Sequence, residues 1–276
     1  MKSNFFQHKM KFCEICIYKR MRAKAFLVGI NYVDSSPRTR LNGCANDVHN
    51  MKQFLMTKLG FHERDIEVAT DEDPKTKGNT TAVGILHNIS RLAWKSWNEN
   101  LDVVWIHYSG HGTSVRDQNG GEKDGRDEAI VPSDYNTRGV VLDDYIHKLF
   151  DKFNPKTKVI CIFDCCHSGS IADLKYRLCG NSFTNEHDKK PLPSKVLMLS
   201  GCSDSQTSAD AWNVMNMKKF SGALSSCFIS GFKRSWLSNV QEMLNDVRGL
   251  LKRKGFTQTP QLCSSYNTTK DKRLML

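Results

Sequence analysis

Apolar positions along this chain fall into two periods. Short, nearly continuous apolar runs stand at residues 24–30, 66–69, 101–107, 159–163 and 195–200. Runs of this length, rich in β-branched and aromatic residues and bounded by Gly, Asn or Asp, predict buried strands. Between them apolar residues recur every three or four positions, which predicts helices. Residues 45–59 carry Val48, Met51, Phe54, Leu55 and Leu59 on one face, with Gly60 as the stop. Residues 81–97, capped by Thr80, gather Val83, Ile85, Leu86, Ile89, Leu92 and Ala93. Residues 142–150 place Asp143 and Asp144 in a first turn, where the helix dipole favours negative charge. Further helices are expected at 168–176, 221–231 and 237–252, and a small strand at 128–131. Polar loops are expected at 71–79, at 113–126, where Gly120-Gly121 and Asp124-Gly125 predict mobility, and at 177–193. No regular element is expected after Gly255. Strands alternating with helices in this way predict an α/β fold, with a mostly parallel sheet covered on both faces.

Length permits one sizeable core. Residues 1–23 read as a short N-terminal arm, and 24–276 as a single domain with a large portion (24–176), a linker (177–193) and a small portion (194–276). Cys13-x-x-Cys16 has half the spacing of a zinc site, but no second pair follows nearby. The formal charge is +11, from 40 Lys and Arg against 29 Asp and Glu. These bases are scattered, with no arginine-rich tract and no aromatic–basic alternation, so nucleic acid is not expected as a main partner. The longest apolar runs fall far short of a membrane span, and residues 1–23 lack the apolar core of a signal peptide. Several of the ten cysteines sit inside apolar elements, where a thiol behaves as a small hydrophobe. That usage points to a reducing compartment, the cytoplasm, with the nucleus compatible.

Two of the predicted strands end in reactive side chains. LDVVWIHYSGHG runs into His107, Ser109, Gly110, His111 and Gly112, and KVICIFDCCHSGS into Asp164, Cys165, Cys166 and His167. Chemistry in α/β folds collects at the C-terminal ends of strands. If these two strands are parallel neighbours, His111 meets Cys166 as base and thiolate nucleophile. A helix start after Cys166 favours the thiolate. The amides of Gly112 and Cys166 are then the natural oxyanion donors. On their own the two residues fit a packed thiol and a structural histidine as well as a dyad. His107 reads as a core or strand-end histidine and His167 as a structural hydrogen-bond partner. Cys165, on the opposite side of the strand, reads as a packed thiol. A Cys-Cys-His cluster has the ligand types for zinc, although adjacent cysteines seldom wrap one tetrahedral ion. Asp47, Asp164, Asp173, Asp204 and Asp210 can gather into an acidic pocket for a Lys or Arg side chain. Asp124, Asp127, Glu128, Asp143 and Asp144 flank a polar loop and are of the type that binds a hard cation such as calcium.

The blocks NGCAND, HYSGHG, DEAIVPSDY, LDDYI, DCCHSGS and GCSDSQTSADA, in this order, resemble the metacaspases among the caspase-like cysteine peptidases. The resemblance spans about residues 24–264. It implies a three-layer caspase-like αβα sandwich and a cysteine endopeptidase that cleaves after Arg or Lys, with Cys166 as nucleophile and His111 as its partner. Asp47 and Asp164, with Ser109, would line the specificity pocket. Asp127, Asp143, Asp144 and Asp173 would bind an activating calcium ion. No organic cofactor is implied. The family resemblance further implies a monomer that acts on proteins or peptides. Lys175, Arg177, Lys189 and Lys190, in or beside the linker, are candidate sites of self-cleavage. The competing reading is a catalytically silent scaffold that retains the fold.

Overall fold

The computed structural model describes residues 21–116, 125–165, 172–179, 182–185, 192–201, 222–267 and 271–275. In chain order its strands are β1 (Ala23–Gly29), β2 (Ile66–Thr70), β3 (Val103–Ser109), β4 (Gly112–Arg116), β5 (Arg126–Ile130), β6 (Val141–Leu142), β7 (Lys158–Asp164), β8 (Tyr176–Cys179), β9 (Ser182–Asn185), β10 (Lys195–Ser200) and β11 (Gln261–Ser264). Its helices are α1 (Cys44–Leu59), α2 (Ala82–Asn98), α3 (Tyr135–Arg138), α4 (Asp143–Phe150), α5 (Ala223–Gly231) and α6 (Val240–Arg253). The main sheet runs β2-β1-β3-β7-β10-β11-β8-β9. The strands from β2 to β10 are parallel, and each of the last three is antiparallel to the strand before it. A small antiparallel sheet, β4-β5-β6, stands apart from it.

The parallel strands are apolar on both sides because both sides are covered. Val104, Ile106, Tyr108, Val159, Cys161 and Phe163 point into a core built with Ile85, Ile89 and Leu92 of α2 and Ile146 and Phe150 of α4. Val103, Trp105, Ile160 and Ile162 point the other way, against Met51, Phe54 and Leu55 of α1, Leu224 and Phe228 of α5 and Leu244 and Val247 of α6. Side chains alternate across a strand, so β3 and β7 each serve two chemically separate faces. The result is the expected αβα layering.

Several expectations need correction. Thr81, not Thr80, caps α2, its hydroxyl accepting the Gly84 N–H; Thr80 is buried and bonds to Ser133. Val83 lies on the exposed side of α2 at 65% exposure, because it stands about 200° around the helix from Ile85. The polar stretch 113–126 is not all loop: Gly112–Arg116 pairs with Arg126–Ile130 as a hairpin, and residues 117–124 lie outside the described residues. Strand β4 is half-exposed, so no apolar run announces it. Tyr176 begins a strand rather than closing a helix from 168. The linker 177–193 contains β8 and β9, which extend the main sheet; Arg177 lies within β8, and Lys189 and Lys190 lie outside the described residues. The tail holds β11, and beyond it Leu274 and Met275 are buried. These strands are four residues long, too short for a period to show.

Candidate active site

Strands β3 and β7 end level. Ser109 pairs with Asp164 in the ladder, and the Gly110 N–H reaches the Asp164 carbonyl. His111 stands two residues past Ser109, and Cys166 two past Asp164. The described chain stops at Cys165, so Cys166 and His167 lie outside it. Cys165 itself is buried in the α2-side core beside Phe163.

His111 is held on every side. Its backbone N–H donates to the Tyr32 hydroxyl at 2.8 Å, and its carbonyl accepts from the Tyr108 hydroxyl at 2.7 Å. The Tyr32 hydroxyl in turn donates to the Val131 carbonyl at 2.7 Å. The Tyr32 ring stacks on the imidazole, with centroids 4.6 Å apart and planes at 29°. Tyr32 does this from a left-handed backbone, φ 56°, uncommon for a residue with a side chain. Gly110 must be glycine here, since a Cβ would lie 2.6 Å from the Tyr108 hydroxyl. Imidazole Nε2 lies 2.8 Å from the Thr39 carbonyl, an acceptor only, so Nε2 carries the proton and Nδ1 presents a lone pair. Burial lowers the His111 pKa and the Thr39 carbonyl opposes this more weakly, so the ring is a neutral base near neutrality.

On the α1 and α5 face of the same strand ends lie two buried carboxylates. Asp47, in the first turn of α1, accepts the Ser109 hydroxyl at 2.7 Å. Asp164 accepts the Ser225 N–H at 2.7 Å. Burial pushes Asp47 up to about 6. Burial first, and then the charge of Asp47, push Asp164 up to about 7. Gly222, at φ 82°, closes over Asp47: a Cβ there would lie 2.9 Å from both carboxylate oxygens. A groove of about 360 Å³ leads from Asp47 between α1 and α5, lined by Asn50, Gln53, Phe54, Ser226 and Ile229. Two buried acids that repel each other are suited to receive a cation.

A second acidic group lies on the opposite face, at the start of α4. One carboxylate oxygen from each of Asp143, Asp144 and Asp173 falls within 4.8 Å of the others. Asp127 is buried on β5 and adds its charge to Asp143. Asp143 accepts the Asp144 N–H at 2.7 Å and the Glu128 N–H at 3.0 Å. Burial chiefly, with Asp173 next, pushes Asp143 up to about 7. His147 Nδ1, 2.9 Å from the Ala172 carbonyl, donates to it and ties the Asp173 segment to α4. Hard oxygen donors at this spacing fit calcium, whose ligands sit about 2.3–2.6 Å from the ion.

The structure therefore separates the acids that were candidates for one pocket: Asp47 and Asp164 stay together, while Asp173 joins Asp143 and Asp144. Asp124, Asp204 and Asp210 lie outside the described residues. Gly112 opens β4 directly after His111. Sequence reasoning overlooked Tyr32, Tyr108, Thr39, Ser225 and His147. For the tyrosines there was a signal: each ends an apolar strand pattern, and a buried phenol needs a polar partner.

A family model described as metacaspase, peptidase C14 domain, matches residues 23–175. This chain belongs to the metacaspase family. Metacaspase-2 of Trypanosoma brucei brucei is 36% identical, over 88% of this chain and 73% of its own. Metacaspase-1A of Neurospora crassa is 32% identical over 89% of this chain, and the match spans 63% of that relative's length. Among solved structures, caspase-1 from Spodoptera frugiperda covers 89% of this chain and 88% of its own at a TM-score of 0.54 and 14% identity. That likeness bears on the fold alone, a caspase-like one. Membership of the metacaspases supports a cysteine-type peptidase. Among the described residues no helix is long and apolar enough to cross a membrane.

Proposed function

We propose that this metacaspase is an endopeptidase that cleaves after Arg or Lys through Cys166 and His111. The observation that carries the reading is the pair of buried carboxylates, Asp47 and Asp164, on the strand ends that lead to the neutral imidazole of His111. The ladder register supports the dyad, since His111 and Cys166 stand at equal distances past a paired Ser109 and Asp164. Asp47 and Asp164 bind the substrate's guanidinium or ammonium group and so set the scissile carbonyl near the thiol. His111 Nδ1 takes the Cys166 proton, and the thiolate attacks the carbonyl carbon. The Gly112 and Cys166 amides hold the oxyanion. The proton passes from His111 to the leaving amine as the C–N bond breaks, leaving a thioester. Water, deprotonated by His111, releases the acid and restores the thiol.

Asp127, Asp143, Asp144 and Asp173 are the residues that would hold calcium. A bound ion would supply the positive charge that offsets this carboxylate group. With the charge offset, these residues would hold the Ala172–Asp173 segment, which follows Cys166 in sequence, against α4. The enzyme acts as a monomer on protein and peptide substrates in a reducing compartment. Buried Cys44, Cys161, Cys165, Cys227 and Cys263, none in a disulfide among the described residues, support that setting.

The test is hydrolysis of fluorogenic peptides ending in Arg, Lys or Asp, with calcium and with chelator. Release after Arg and Lys only, lost with chelator, is the expected result. Release after Asp would overturn the pocket assignment, and equal rates with chelator the calcium assignment. No release from any peptide by folded, reduced protein would favour the silent scaffold.

A further inference from the structure

Tyr32 supports His111 from a backbone angle that a tyrosine seldom adopts, φ 56°. Its hydroxyl accepts the His111 N–H and its ring lies on the imidazole, so a swing of the backbone at residue 32 would carry both away. Strand β2 ends beside β1, with Thr70 paired to Gly29, and the next residue, Asp71, reaches across to the loop that leaves β1. Its Oδ1 accepts the Asn31 N–H at 2.8 Å, and its Oδ2 accepts the Val33 N–H at 2.9 Å. One carboxylate thus grips the amides on both sides of Tyr32. Asp71 is 3% exposed, so water competes little for these bonds. We propose that Asp71 is a positioning residue of the active site: it fixes Tyr32 in its left-handed turn and, through Tyr32 and Thr39, holds the His111 imidazole in place for proton transfer. This rests on reading His111 as the base of the peptidase.

The residue type suits the task. A left-handed residue in a loop aims the N–H groups around it towards one point, where an anion can sit. A carboxylate offers two acceptor oxygens and no donor, and its bonds to amides are stronger than those of a neutral acceptor. Asparagine offers one oxygen and would set its NH₂ against the other amide.

The same loop carries the second support of the imidazole. The Asn31 carbonyl accepts the Leu41 N–H at 2.9 Å, and the Asn31 side-chain oxygen accepts the Cys44 N–H at 3.0 Å, which closes the loop at its base. The Asn31 side-chain amide donates to Glu72 at 2.7 Å, so two consecutive residues after β2 grip that base. Thr39 lies inside the loop, and its carbonyl accepts His111 Nε2–H. The stacked ring and the Nε2 acceptor therefore hang from one anchor. Asp47 and Asp164 answer to other partners, Ser109 and Ser225.

The experiment compares Asp71→Asn with the unaltered chain in calcium. It reads turnover of an Arg peptide, affinity for agmatine (a guanidinium with no scissile bond) and the ring-nitrogen and ring-proton NMR signals of His111. In Asp71→Asn, kcat should fall roughly five- to tenfold with KM within about twofold. Agmatine affinity should hold. The His111 ring should lose its single Nε2–H tautomer and the upfield shift imposed by the stacked Tyr32 ring. Asp134→Ala controls for loosening alone: it deletes the acceptor of the Ala82 N–H at the start of α2, and should leave kcat and the His111 signals unchanged. His111 signals that stay put in Asp71→Asn, or an equal loss of kcat in Asp134→Ala, would reduce Asp71 to a structural anchor and overturn the proposal. Should Asp71→Asn not fold, amide hydrogen exchange on the unaltered chain decides it. The Asn31, Val33 and His111 amides should then open as one unit, with protection alike within about tenfold, and a His111 amide protected independently of the other two overturns the proposal. Undiminished turnover by His111→Ala overturns the base reading and the proposal together. Lost turnover there, with Asp71→Asn matching the unaltered enzyme, overturns the proposal alone.

Discussion

The two faces of the sheet carry the same residue type in opposite settings. On the α1 and α5 side, Asp47 is met by the Ser109 hydroxyl and Asp164 by a helix amide. On the α2 and α4 side, Asp143 is met by Asp144, Asp173 and the charge of Asp127. Burial lifts Asp164 and Asp143 alike, each to about 7. What differs is the number of acids and the nature of their neighbours. Two acids beside neutral donors match a single positive charge at the end of a side chain. Four acids around a helix N-terminus match a divalent, oxygen-seeking ion. Under the proposed function, burial makes each carboxylate group await a cation, and the neighbours say which one.

The comparison breaks most sharply at Asp164. Asp164→Asn should lower kcat/KM for an Arg peptide by about 10²–10³, the scale for stripping one partner from a buried charge pair, with calcium affinity unchanged. Steady-state kinetics beside a calcium titration checks both halves. Asp173→Asn is the mirror case. Asparagine tolerates the left-handed φ of 47° that Asp173 adopts, so the backbone should hold while a charged ligand is lost. Calcium affinity should fall by roughly 10–100-fold, with agmatine binding unchanged. An equal loss at both sites from either variant would show one coupled unit rather than two.

Tyr32→Phe belongs to neither acidic group. It removes the hydroxyl that accepts the His111 N–H, leaving a buried donor unpaired at a cost of about 1–3 kcal/mol. Turnover should drop about tenfold while agmatine and calcium affinities stay in place. An unchanged kcat would mean that the Thr39 carbonyl and the ring stack suffice to orient the imidazole.

The smallest effect is on stability. Asp47, lifted to about 6, and Asp164 and Asp143, lifted to about 7, bind more protons folded than unfolded, where aspartate titrates near about 3.9. Their contribution is full below the unfolded value and is lost as pH rises through 6 to 7. Calcium-free protein should therefore melt roughly 3–8 °C higher near pH 5.5 than near pH 8, as read by calorimetry. Calcium should flatten the Asp143 share of that slope and agmatine the Asp47 and Asp164 share. A slope that calcium alone abolishes would remove the distinction between the faces.

Much of the frame was legible because it follows local rules. Apolar runs covered on two sides and helices with one apolar face announce themselves in order along the chain. The motif blocks at the ends of β3 and β7 marked where chemistry gathers. The short strands β4, β8, β9 and β11 stayed hidden, since four or five residues are too few to show a period. Hidden too were the groups that hold the site together. Nothing local links Tyr32 to His111, His107 to Ser225 or His147 to Ala172.

By itself, then, the sequence determined the alternation of strands and helices, and named the candidate acids and the candidate reactive pair. Only the tertiary structure decided which acids share a face, which tautomer His111 adopts and that the Asp71 carboxylate stands behind Tyr32. Periodicity is a property of neighbours in the chain, whereas burial, charge repulsion and hydrogen-bond direction depend on residues that meet across it.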